Sequence, residues 1–131
     1  MLSSNIGVDE RSRLTFAGMD TVALAEKYKT PLYLMDEDRI RANCRIYRGA
    51  MEKWFGAGSF PLYASKAASF KQIYRIMAQE GMAIDVVSSG EVYTAVHADF
   101  PMERAYFHGN NKTEADVRFA FEVGIGRFMA D

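Results

Sequence analysis

The chain has 131 residues, 49% of them hydrophobic and 25% charged, a composition that suits one globular domain or part of a larger one and excludes a disordered tail. A formal net charge of -1, with acids and bases interspersed, offers no basic stripe for nucleic acid and no polybasic segment for a membrane surface, so the expected partner is a small metabolite. The apolar runs are strand-sized, as over residues 83–87, far below the ~20 residues of a membrane span; residues 1–13 lack the basic start and apolar stretch of a secretory signal, which predicts a cytoplasmic location.

In chain order, Leu14-Thr15-Phe16 and residues 31–35 read as short strands around a small helix over 20–28, and they set the first 35 residues apart as a separate β element. Next, Ile40, Cys44, Tyr47, Met51, Trp54 and Phe55 recur at helical spacing behind Asp36, Glu37 and Asp38, whose negative charges favour a helix N-terminus. Cys44 on that stripe reads as a small buried hydrophobe. A short strand over 60–65 follows. Behind it comes a helix over 70–79 with Phe70, Ile73, Tyr74 and Met77 on one face and Ser69 as its N-cap.

From there the pattern is regular. Strands begin near Pro61, Ala83, Arg104 and Gly126, at steps of 22, 21 and 22 residues, and helices fill the gaps over 70–79, 90–98 and 113–123. The last helix opens on Thr113-Glu114-Ala115-Asp116, a capping box with Asp in place of Glu. Strands alternating with helices imply a parallel sheet with helices packed outside it. Four such units fit either a compact doubly wound sheet or the first half of an eight-stranded barrel, whose usual size is ~250 residues.

Chemistry-bearing residues collect at the ends of these strands. Strand alternation places Leu62, Ala64 and Lys66 on one face, with Lys66 at the carboxyl end, where parallel α/β architectures hold ligands; the alternative is a solvated lysine opening a loop. Asp85 interrupts an apolar strand and needs a cation or hydrogen-bond donors, supplied by Lys66, by a charged cofactor or by a structural ion pair. Ser88-Ser89-Gly90-Glu91 either cradles an anion at a helix N-terminus or turns the chain and caps the helix. His108-Gly109-Asn110-Asn111-Lys112 closes the third strand. Its Gly and Asn residues suit a tight turn, while His108, on the same face as Tyr106, either points into the site or is a structural hydrogen-bonding group. His97 has no Cys or His at metal-ligand spacing, and no metal is predicted. Neither a dinucleotide fingerprint nor a P-loop occurs.

Six segments carry a resemblance: Leu24-Ala25-Glu26-Lys27-Tyr28, Thr30-Pro31-Leu32-Tyr33, Asp36-Glu37-Asp38-Arg39-Ile40-Arg41, Tyr63-Ala64-Ser65-Lys66-Ala67, Asp85-Val86-Val87-Ser88-Ser89-Gly90-Glu91 and His108-Gly109-Asn110-Asn111-Lys112. In this order and spacing the chain resembles the diaminopimelate decarboxylases from Leu14 to Asp131. The resemblance implies pyridoxal-phosphate-dependent conversion of meso-diaminopimelate to L-lysine in lysine biosynthesis. It also implies the alanine-racemase-like fold, with residues 1–35 belonging to a β-domain and 36–131 forming the first half of a β/α barrel. Lys66 matches the lysine that carries the cofactor, and Asp85 and Glu91 match two acids of the related ornithine decarboxylases. Ala64 and His108 are expected beside the cofactor, and Ser88 is a further site candidate. The complete enzyme is expected to be a homodimer.

The family's ring-stacking histidine, its glycine-rich phosphate loop, its acid facing the pyridinium nitrogen and its C-terminal cysteine and tyrosine do not occur in these residues. The chain is therefore expected to be an N-terminal part, inactive alone. Within the class the rivals are ornithine, arginine and carboxynorspermidine decarboxylases of the same fold. From outside it, a doubly wound binding or signalling module would use Asp85 as a regulatory acid and leaves the matches around Lys66 unexplained.

Overall fold

The structure, a computed structural model, describes residues 4–130, and the chain divides into two compact units, residues 1–43 and 44–131.

The first unit is a three-stranded antiparallel sheet, β1 (Ile6–Val8), β2 (Leu14–Phe16) and β3 (Met19–Asp20), in that order, followed by helix α1 (Thr21–Tyr28). Ala17 and Gly18 join β2 to β3 with φ of 50° and 77°, the left-handed pair that matches a two-residue hairpin to the twist of its strands. Asp20 then caps α1, its carboxylate accepting from Val22 N at 2.8 Å and Ala23 N at 3.3 Å. The strand expected over 31–35 does not form; the short β1 and β3, too brief to show alternation, supply the sheet instead. Helix α2 (Glu37–Phe55) begins behind Asp36, whose carboxylate accepts from Arg39 N at 3.1 Å and from the Asn5 amide at 3.0 Å. Those bonds, the one from Arg39 foremost, hold the Asp36 carboxyl below the usual carboxylate range.

The second unit is a parallel sheet of β4 (Leu62–Ala64), β5 (Ala83–Val86), β6 (Ala105–Phe107) and β7 (Arg127–Phe128), with α3 (Lys71–Gln79), α4 (Ser89–Val96) and α5 (Glu114–Glu122) in the connections. Spatial order equals chain order, so these strands contain no reversal of winding; a doubly wound sheet requires one, and a barrel does not.

Side chains alternate along each strand, and one face of this sheet is buried while the other is half-exposed toward the carboxyl ends, with Ala83 buried at its amino end. Ile84, Val86, Ala105 and Phe107 face the helices and are sealed by Ile73, Tyr74, Ile76 and Met77 of α3, Val92 and Ala95 of α4, and Ala120 of α5. Burial raises the Tyr74 phenol above its ordinary value, and its hydroxyl pairs with Ser69 Oγ at 2.9 Å. Ser69 was expected to cap α3; its hydroxyl is engaged by Tyr74, and the N-cap is Phe70 without a side-chain bond. The capping box of α5 forms as expected, with Thr113 Oγ1 accepting from Asp116 N and Asp116 accepting from Thr113 N.

Helix α2 is held to α3 by Cys44, 3.8 Å from Met77 sulfur, and by a forked pair in which Arg45 Nε and Nη2 each lie 2.8 Å from a Glu80 carboxylate oxygen. Of the rest of its apolar stripe, Ile40 and Met51 are half-buried, while Tyr47, Trp54 and Phe55 are 63%, 73% and 74% exposed. Helical spacing identifies a helix but does not say what packs against it.

Candidate functional site

The opposite face of the parallel sheet carries the chemistry. Ala64, Asp85, Tyr106 and Arg127 are register partners across the four strands, so four side chains of different character form one row on that face. At the carboxyl ends the ladder runs one step further: His108 N donates to Val86 O at 2.8 Å and Met129 N to Phe107 O at 2.9 Å. This brings His108 and Met129 above Tyr106 and Arg127. Leu62, Ala64, Asp85, Tyr106, His108 and Met129 line a cleft of about 280 Å³ with mostly apolar walls.

Asp85 was expected to need a cation or hydrogen-bond donors within an otherwise apolar strand. It lies on the face not covered by helices, with its side chain 27% exposed, so its desolvation is partial. Its charged neighbour is His108, whose Nδ1 stands 3.8 Å from Asp85 Oδ2, beyond hydrogen-bond length but within ion-pair range when the imidazole is protonated. Tyr106 is fixed from the other side. The Arg127 guanidinium stacks over its ring at 5.1 Å and donates to its hydroxyl.

Lys66 is not the last residue of a strand. β4 ends at Ala64, and Lys66 sits in a 3-10 turn, Ser65–Ala67, so strand alternation does not extend to it. The turn follows the carboxyl end of β4 and packs against β5, which keeps Lys66 at the ligand end of the sheet. The side chain is exposed and has no ion-pair partner within 4 Å among the described residues; in particular it is not paired with Asp85.

Ser88 and Glu91 serve the turn into α4. Ser88 Oγ accepts from Glu91 N at 3.2 Å, and the Glu91 carboxylate accepts from Val87 N at 2.8 Å, so the pair closes the helix N-terminus in the manner of a capping box. Neither lines the cleft. Lys112 folds back on its own loop, donating to the carbonyls of Gly109 and Met129. Gly109, at φ 108°, is the one glycine here whose conformation matters to the site: it turns the chain away directly after His108, and a Cβ there would lie 3.3 Å from Val87 O.

Sequence reasoning named Ala64, Asp85 and His108 and missed the roles of Tyr106, Met129 and Arg127. Tyr106 shares a strand face with His108, which was a usable signal. Met129 and Arg127 required the β6–β7 register, and a two-residue strand gives no alternation from which to infer one.

The sequence profile of the pyridoxal-dependent decarboxylase family, pyridoxal binding domain, matches residues 37–131. Diaminopimelate decarboxylase of Bacillus methanolicus is 41% identical over 124 residues, which are 95% of this chain and 28% of that protein. The Mycobacterium bovis enzyme of the same name is 38% identical over 94% of this chain and 27% of its own length. The chain thus spans a little over a quarter of the curated relatives it matches. Among solved structures, diaminopimelate decarboxylase from M. jannaschii superposes with a TM-score of 0.82 at 33% identity, covering 97% of this chain and 30% of that one. Lysine/ornithine decarboxylase from Vibrio vulnificus, complexed with putrescine, gives 0.74 at 27% identity, covering 85% and 29%.

Proposed function

We propose that this chain, which belongs to the pyridoxal-dependent decarboxylases, is part of an enzyme that converts meso-diaminopimelate to L-lysine, with pyridoxal phosphate carried on Lys66. The observation that carries the reading is one conjunction. Lys66 lies in the turn directly after Ala64, the last residue of β4, and Ala64 lines a cleft together with Asp85 and His108, in a chain 38–42% identical to diaminopimelate decarboxylases. The four parallel strands are the start of a β/α barrel. We assign residues 1–35 to the β-domain and 36–131 to the first half of that barrel, and we expect a cytoplasmic homodimer, as the family resemblance implies.

The residues present fit the group. Pyridoxal needs a primary amine, which Lys66 supplies, and a slot for a flat ring. The Ala64 methyl leaves room on the cleft floor, and Leu62 and Met129 give apolar walls that limit water. When bound, the cofactor supplies an electron sink for the pair left behind by departing carbon dioxide. The protein's own part is preparation. Lys66 must offer an unprotonated amine, and no carboxylate among the described residues lies within ion-pair distance of it. Asp85, half-sheltered in the cleft, offers a fixed negative charge to orient a cationic or hydrogen-bonding group.

Carbon dioxide release by the full-length protein from meso-diaminopimelate, L-ornithine and L-arginine tests the assignment. Diaminopimelate should be the preferred substrate and lysine the product. Faster release from ornithine would move the protein toward the lysine/ornithine decarboxylases, whose Vibrio vulnificus representative shares the fold.

A further inference from the structure

We propose that His108 is a positioning residue that acts through Asp85: by drawing the carboxylate toward β6 it keeps Asp85 from pairing with Lys66, and so leaves the Lys66 amine free for covalent capture. This rests on Lys66 being the cofactor lysine. Two groups compete for one carboxylate. Asp85 is the register partner of Ala64, two residues before Lys66, and the turn bearing Lys66 packs against β5. A carboxylate settled against an ammonium stabilises the charged form, which is the unreactive form of a lysine nucleophile. The structure nevertheless has Asp85 Oδ2 3.8 Å from His108 Nδ1 and Lys66 unpaired.

The other charged groups around the pair are committed elsewhere. Glu91 of α4 accepts from Val87 N, and Lys112 of the β6–α5 loop donates to the Gly109 and Met129 carbonyls. Arg127 of β7 is stacked on Tyr106 and bonded to its hydroxyl. From β4 the cleft is lined by uncharged Leu62 and Ala64, with Lys66 in the turn that follows and packs against β5, and from β6 by the phenol of Tyr106. His108 is thus the group best placed to hold Asp85.

The test needs no cofactor. In the full-length apoprotein, amines are trace-labelled with acetic anhydride, and acetylation of Lys66 is read by mass spectrometry relative to exposed Lys71 in the same molecules. At pH 6.5, His108→Ala should lower the Lys66-to-Lys71 ratio about tenfold, the effect of one carboxylate turned onto an ammonium. Adding Asp85→Asn to that variant should restore the ratio, because no carboxylate remains to hold the lysine. His108→Arg, which carries a permanent charge, should keep the ratio at or above the wild-type value. An unchanged ratio in His108→Ala, or one that Asp85→Asn fails to restore, overturns the proposal. The reading it rests on fails differently: borohydride would then fix the cofactor to a lysine other than Lys66, whatever the labelling ratio.

Discussion

A single methyl group added at two glycines should move stability in opposite directions, and the difference tests the packing that positions the cleft. Gly126 precedes β7, and its N–H donates to both Met102 O at 2.9 Å and Ala105 O at 3.1 Å. A Cβ there would overlap the Glu103 carbonyl oxygen and lie 2.7 Å from its carbon. These are backbone atoms of the turn leading into β6, so no side chain can swing aside, and relief requires the Gly126 backbone to move away from that turn. Overpacking of this kind typically costs 1–3 kcal/mol, and weakening the shared N–H bond adds roughly 1 kcal/mol, so Gly126→Ala should cost about 2–4 kcal/mol. Gly49 is the counterpart: it lies inside α2, and a Cβ there meets nothing within 4 Å. Gly49→Ala should therefore gain roughly 0.5–1 kcal/mol from helix propensity. Urea midpoints of the full-length protein, followed by far-UV circular dichroism at constant m-value, read both changes. Equal midpoints for Gly126→Ala and the wild type would refute the close approach of Gly126 to the turn that leads into β6.

Two further outcomes follow from named contacts. Asp116 is held below its ordinary value of 3.8 first by its bond from Thr113, so the stability it contributes is fully present above 3.8 and is lost as pH falls through its lower folded value. Asp116→Asn should thus lower stability at neutral pH and flatten the acid limb of a stability–pH curve, the variant and wild-type curves converging at low pH, and an unchanged acid limb would contradict the capping box. Asp85→Asn, which keeps volume and removes charge, should lower turnover by more than any loss of folding explains; wild-type turnover in a variant that still binds cofactor would reduce Asp85 to a structural residue.

Much of the second unit was legible because its elements have long enough periods. α3, with Ile73, Tyr74, Ile76 and Met77 buried, and the strand around Ile84 and Val86 could be placed from spacing alone. The ends of elements were less legible, since they depend on which neighbour takes a hydrogen bond. Ser69 looked like a cap, but Tyr74 holds its hydroxyl. Lys66 looked like a strand residue, but the backbone turns after Ala64. Residues 31–35 have strand-like composition and no partner strand, and pairing cannot be read from one segment. The Arg127–Tyr106 contact in the site row depended on a register between distant segments, which sequence periodicity does not encode.

The central claim is that Lys66 carries the cofactor, and one measurement meets it directly. The full-length protein would be loaded with pyridoxal phosphate, reduced with borohydride and digested, and the pyridoxyl-bearing peptide sequenced by mass spectrometry. The account predicts a single modified peptide containing Tyr63-Ala64-Ser65-Lys66-Ala67, with the adduct on Lys66 and none after Lys66→Ala. An adduct on Lys71 or Lys112, or undiminished labelling of the Lys66→Ala variant, would contradict it.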